Sequence, residues 1–189
     1  MVVLAAGQGS RFGGNHNKLL VPCTGRDELI RPVLGHVLHN LAGLQVRRIV
    51  VTRPGQPCVT ELALAQGCEI LEIASHGMGD TLAAAVRYAG PGFHWMIVLG
   101  DMPFILPETL RLLAECSKTM DALAVCAPAC DGRLGHPVIF AEGFFMQLTA
   151  LEGDQGGRSL FGGAQLMRLE TTDQGIHHDV DTPQALVFT

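Results

Sequence analysis

The amino-acid sequence predicts an α/β protein with a three-layer, Rossmann-like α/β/α architecture around a mostly parallel sheet. Three observations carry that expectation. Short apolar, strand-like runs alternate with amphipathic, helix-like runs, the pattern of a parallel sheet covered on both faces. The first run, Val2-Val3-Leu4, leads directly into a glycine-rich loop, and the fourth closes on an acid, Asp101. Open α/β sheets bind ligands beyond the carboxyl ends of their strands, so loop and acid are expected to face one pocket. With 189 residues and 48% hydrophobic content, the chain suits one substantial core and a single domain over residues 1–189.

Taken in order, Val2 to Leu4 reads as a short buried strand. Pro32 to Leu44 carries Val33, Val37 and Leu41 at helical spacing, and RRIVVT reads as the next strand. Val59 to Gln66 follows as a helix, CEILEIA as a third strand, Met78 to Tyr88 as a helix and WMIVLGD as a fourth strand. A helix over Leu106 to Lys118 precedes the strand DALAVCAP and then GHPVIF, a β-rich run opening on Gly135. A helix around Phe144 to Leu151, the loop EGDQGGR, the strand QLMRLET and the acidic turn HHDVDTP complete the chain.

The formal charge is −5 and no run of lysine or arginine is present, which argues against DNA or RNA and for a small ligand. No apolar stretch reaches the roughly 20 residues of a membrane span, and Met1 leads straight into a strand, so a cytoplasmic protein is expected, and a monomer. The six cysteines are spread along apolar segments, where reduced thiols act as small hydrophobes. Only Cys126 and Cys130 are close, and the two further ligands of a zinc site are lacking beside them.

Gly7, Gly9, Gly13 and Gly14 let the backbone approach a ligand and turn N–H groups toward an anion, while Arg11 and Lys18 supply positive charge for a polyphosphate. A Walker A loop is excluded, because Leu19 stands where the magnesium-binding hydroxyl would follow Lys18. A dinucleotide fingerprint needs a third glycine where Phe12 stands, so GQGSRF matches it only in part. Asp101, in LGDMP, reads either as a magnesium ligand or as a turn or cap acid before the next helix. Asp179-Val180-Asp181 alternates along an extended backbone, so one of its two carboxylates is expected to reach the same metal; the other reading makes Asp181 or Thr182 the cap of a helix from Pro183. Gly77 to Thr81 opens a helix whose N–H groups suit a base edge or ribose, with Asp80 equally suited to capping. His136 and Arg158 lie in glycine-bearing turns suited to an anionic substrate. His177 and His178 read as surface residues.

LAAGQGSRFGG with Lys18, LGDMP, GHPVIF, GDQGGR and DVDTP, in this order over essentially the whole chain, resemble the molybdenum cofactor cytidylyltransferases. These belong to a wider group of nucleotidyltransferases that also attach GMP to that cofactor. Guanylyltransferase relatives typically have Leu-Ala-Gly-Gly and Arg-Met-Gly where this chain has Leu4-Ala5-Ala6-Gly7 and Arg11-Phe12-Gly13, which favours CTP over GTP. The chain departs from the pattern at Asp80-Thr81, where relatives tend to have a small residue and serine.

The resemblance implies transfer of CMP from CTP to molybdopterin, with Mg2+ as cofactor and a molybdenum hydroxylase as recipient of the product. On this reading Arg11 and Lys18 hold the triphosphate and act in catalysis with Asp101. Leu4, Ala5, Ala6, Gly7, Gly9, Met78, Gly79 and Thr81 complete the nucleotide site. Asp101 and Asp181 hold the metal, and His136 and Arg158 bind the acceptor. Transfer to another phosphorylated metabolite, or from GTP, is the alternative within the class. Outside it stand an NAD(P)-dependent oxidoreductase with Glu28 as the ribose acid, and a non-catalytic carrier of the cofactor.

Overall fold

The computed structural model describes residues 1–7, 12, 17–75 and 77–188. Its strands and helices follow as β1 (Val2–Leu4), β2 (Pro22–Thr24), β3 (Ile30–Pro32), α1 (Val33–Asn40), β4 (Ile49–Thr52), α2 (Pro57–Ala65) and β5 (Glu69–Glu72). Then come α3 (Met78–Ala89), β6 (Trp95–Leu99), α4 (Pro107–Ser117), β7 (Ala124–Cys130), β8 (Arg133–Leu134), β9 (Val138–Phe140), α5 (Phe145–Thr149) and β10 (Gln165–Glu170).

The main sheet has eight strands in the order β10-β7-β9-β6-β1-β4-β5, with β8 paired to β7. Pairings β1–β4, β1–β6, β4–β5 and β7–β10 are parallel. β9 runs antiparallel to both of its neighbours, β6 and β7, as β8 does to β7. The parallel reading of the sheet therefore holds apart from these two strands.

Successive strand residues point to opposite faces, and the two cores show it. Val3, Val50, Met96, Val98 and Cys126 join α1, α2 and α4 on one face, through Leu34, Leu38, Val59, Leu110 and Leu113. Val2, Ile49, Val51, Trp95, Ile97 and Val125 join α3 and α5 on the other, through Leu82, Val86 and Leu148. Each such fully buried aliphatic side chain contributes roughly 1.5–3 kcal/mol, so the alternation fixes which face of every strand each helix covers. The six cysteines are free, and Cys58 is the exposed one among them. Among the described residues no helix is long and apolar enough to cross a membrane.

Three features differ from the sequence expectation. A two-stranded hairpin, β2 with β3, occupies a segment without strand periodicity, and its turn holds Glu28 at φ 63°. The helix expected over Pro32 to Leu44 stops at Asn40, and that expected over Phe144 to Leu151 shrinks to a 3₁₀ turn at Glu142–Phe144 plus α5. Only a 3₁₀ turn, Pro183–Leu186, follows the acidic turn, and its N-cap Thr182 makes no side-chain cap bond.

Candidate active site

The carboxyl ends of β1 and β6 are locked together. Gly100 N–H donates to Leu4 O at 2.9 Å, and a Cβ on Gly100 would stand 2.9 Å from the same oxygen. Only glycine lets the two strand ends approach so closely, and the next residue is Asp101. On the other side, Asn17 accepts the Leu19 N–H at 3.0 Å and donates to Gln56 Oε1 at 2.8 Å, which fixes the 3₁₀ turn Lys18–Leu20 against the start of α2.

Lys18 is only 8% exposed, and its ammonium donates to Asp101 Oδ2 at 2.6 Å and to Asp181 Oδ1 at 2.7 Å. The second acid is delivered by the backbone: Val180 N–H donates to Asp101 O at 2.8 Å while the Val180 side chain is fully buried. Its two neighbours consequently diverge, Asp181 toward Lys18 and Asp179 toward a separate cavity beside His136. Neither Asp101 nor Asp181 is a helix cap, since α4 begins after Leu106 and the last 3₁₀ turn after Thr182. Burial works against the Lys18 charge, but the two carboxylates outweigh it and hold its pKa above the ordinary lysine value.

Two carboxylates converging on one cation suit a magnesium-like ion, which binds through one or two carboxylates and completes its shell with phosphate oxygens and water. The ammonium stands in for such an ion between the two carboxylates. Among the described residues no group of three or more His, Cys, Asp or Glu side chains could hold a metal, so the remaining positions of an ion's shell here would fall to water or a ligand.

A cavity of about 410 Å³ opens beside this cluster, lined by Leu4, Ala5, Ala6, Gly7, Lys18, Met78, Thr81 and Asp101. Arg53, Ser75 and Asp154 line it too, and sequence reasoning did not single them out. Arg53 and Ser75 lie just beyond the carboxyl ends of β4 and β5, so the strand-end rule that pointed to Asp101 would have found them. Thr81 Oγ1 meets Ser75 Oγ at 2.7 Å and donates to Gly77 O at 2.9 Å. Gly79 has a different part from the one expected: its N–H donates to Gly153 O at 2.7 Å, and a Cβ there would lie 2.8 Å from Glu152 O and Gln155 O. Asp80 accepts the Gly153 N–H at 2.9 Å, so this helix start grips the 152–155 loop rather than presenting all its N–H groups to a ligand. Gly9, Arg11, Gly13 and Gly14 lie outside the described residues.

A second cavity, about 1060 Å³, shares Leu4, Met78 and Leu99 with the first. His136 and Arg158 both line it, with Arg133, Arg168, Ser159 and Asp179. Its floor is apolar, built from Leu82, Ile97, Val138 and Phe140. Burial, with the nearby Arg158 charge, pushes the His136 pKa down to about 4, so the ring is neutral at pH 7. Its Nδ1 is buried without a hydrogen-bond partner among the described residues. His177 and His178 are half-buried rather than surface residues: His178 bonds Ala185 O at 2.8 Å and packs edge-on against Phe104. Glu28 lines neither cavity and sits in the hairpin turn, which removes the ribose acid of the oxidoreductase reading.

The pattern of the MobA-like NTP transferase domain matches residues 1–171. The chain belongs to this family. Among solved structures it resembles Rv0371c from Mycobacterium tuberculosis H37Rv, with a TM-score of 0.78 and 27% identity over 97% of this chain and 92% of that one. A second structure of Rv0371C, in complex with manganese, gives a TM-score of 0.76 and 26% identity over 97% of this chain and 93% of that one. The bifunctional protein GlmU of Dinoroseobacter shibae is 37% identical over 145 residues, covering 73% of this chain and 31% of GlmU. The chain thus spans about a third of the length of the curated relatives it matches.

For a MobA-like transferase, the arrangement supplies a buried cation between two acids beside the smaller cavity, which adjoins the larger one at Leu4, Met78 and Leu99. Such a geometry suits positioning and charge neutralisation. Arg133 and Arg168 escaped sequence reasoning because they face the second cavity only through the pairing of β8 and β10 with β7, which no local pattern encodes.

Proposed function

We propose that this protein transfers CMP from CTP to the terminal phosphate of molybdopterin, releasing pyrophosphate and leaving a cytidine dinucleotide form of the cofactor. The observation that carries the reading is Lys18 held between Asp101 and Asp181, with Lys18 and Asp101 lining the smaller cavity. The smaller cavity takes CTP, with Leu4 to Gly7, Met78 and Thr81 around the nucleotide and Lys18 with Arg11 on the triphosphate. The larger takes the acceptor, whose anionic groups meet Arg158, Arg133 and Arg168 while neutral His136 offers a ring nitrogen to the pterin edge. An oxygen of the acceptor phosphate attacks the α-phosphorus of CTP; the bond to the β-phosphate breaks and its electron pair leaves with pyrophosphate. That phosphate is already ionised near pH 7, so no general base is needed.

Asp101 and Asp181 would hold a divalent ion, Mg2+ on this reading, which when bound supplies charge neutralisation at the triphosphate. The manganese complex of Rv0371C supports a divalent-metal requirement. We place the protein in the cytoplasm as a monomer of one domain, delivering its product to a molybdenum hydroxylase. Titration calorimetry with Mg2+ present tests the nucleotide: CTP is expected to bind more tightly than GTP, ATP or NAD. Tight NAD binding without a CTP response would overturn the reading.

A further inference from the structure

We infer that Lys18 occupies the metal position of the unliganded site and gives it up to the triphosphate, so that the divalent ion enters with the nucleotide and not before it. The inference rests on the proposed reading in taking Asp101 and Asp181 as the metal ligands, and it adds an order of events and a second role for Lys18. Its ammonium lies 2.6 Å and 2.7 Å from carboxylates that stand 83 and 163 residues away in sequence. Both acids are placed by the main chain, through Gly100 against Leu4 and Val180 against Asp101, so they stay where they are when the cation changes. A magnesium-like ion sits about 2.0–2.1 Å from each ligand oxygen. An ion bridging these two carboxylates would therefore overlap the ammonium, and the two cations exclude each other.

Charge decides when the exchange is favourable. Two carboxylates with one ammonium carry a net −1; two carboxylates with a divalent ion are neutral, and Lys18 is then left buried without them. Without a nucleotide the displaced ammonium loses both partners, a costly change for a charge that is 8% exposed. A triphosphate in the adjoining cavity, which Lys18 also lines, gives the ammonium new oxygens as it moves. Metal and nucleotide then favour each other's binding by the same factor, as linkage requires.

The test measures Mn2+ binding to the whole chain from the electron paramagnetic resonance of free Mn2+, for wild type, Lys18→Met and Lys18→Arg. Without nucleotide, Lys18→Met is expected to bind Mn2+ about tenfold or more tightly than wild type, because a competing unit charge has gone from the site. Lys18→Arg, which keeps the charge, is expected to remain as weak as wild type. Adding CTP should strengthen Mn2+ binding far more in wild type than in Lys18→Met. Equal Mn2+ affinity in wild type and Lys18→Met overturns the exchange while leaving the metal site standing. No Mn2+ binding by any of the proteins, with or without CTP, removes the metal site and the functional reading with it. A measurement on wild type alone guards against a variant that does not fold. The NMR signal of the Lys18 ammonium should hold its position with Mg2+ and move with Mg2+ plus CTP; movement with Mg2+ alone overturns the order.

Discussion

Asp101 and His136 show how different the demands on two site residues can be. Asp101→Asn removes one charge at nearly constant volume and leaves Lys18 with Asp181, so the fold should persist. Its pyrophosphate release with CTP and acceptor is expected to fall roughly a hundredfold or more, the equivalent of about 3 kcal/mol of lost charge stabilisation. Turnover at the wild-type rate would remove Asp101 from the reaction. His136 is held neutral, and the consequence is a pH-dependent stability with a definite sign. The ring takes up a proton near 6.5 when unfolded but only near 4 in the folded protein, so between these values the unfolded state binds more protons. No penalty exists above about pH 6.5; it grows as the pH falls toward 4, to on the order of 3 kcal/mol. Urea unfolding at pH 7 and pH 4.5 should show a larger loss of stability in wild type than in His136→Gln. Superimposable pH profiles would mean that the ring protonates freely in the folded protein.

Among the elements, the hairpin, α4 and the late chain meet on one carboxylate. Asp173, 1% exposed, accepts from Arg26 Nη1 at 2.6 Å, Leu106 N–H at 2.8 Å, Thr109 Oγ1 at 2.8 Å and Gly175 N–H at 3.0 Å. It thereby caps α4 from outside that helix and fixes the segment that carries Val180 and Asp181. Asp173→Ala leaves two buried donors, Thr109 Oγ1 and Gly175 N–H, without this acceptor, with an expected loss of about 3 kcal/mol in equilibrium urea unfolding at pH 7. A loss below 1 kcal/mol would show that solvent replaces it. Nothing in Thr171-Thr172-Asp173 announces such a part, because a cap supplied by a residue 67 positions away has no local signature. Apolar runs such as Ile49-Val50-Val51 and Trp95 to Leu99 were legible as strands because every residue but Leu99 is buried. β2 and β3 were not, since three-residue strands with exposed positions carry no period. The reversal of β9 was illegible for another reason: Val138-Ile139-Phe140 has the same pattern in either direction. The acids of the candidate site were legible as strand-end and turn residues, but their convergence on one ammonium depends on the Val180–Asp101 backbone bond.

At the scale of the whole molecule, the carboxyl end of the sheet offers two cavities, and the proposed division of labour can be separated by mutation. Lys18→Ala should weaken CTP binding in the presence of Mg2+ and leave molybdopterin binding largely intact, while Arg158→Ala should do the reverse. Equilibrium binding of each ligand alone is the measurement. If both substitutions weakened CTP only, Arg158 would belong with the nucleotide. The residues that line both cavities are Leu4, Met78 and Leu99, three with apolar side chains. In a transferase the commonest rival to the proper acceptor is the solvent itself, present everywhere and chemically able to attack the same phosphorus. On the proposed division of the cavities, an oily sill between donor and acceptor would give a stray water little to hold it in line for attack, and so would discourage wasteful hydrolysis of the donor before any second substrate has arrived.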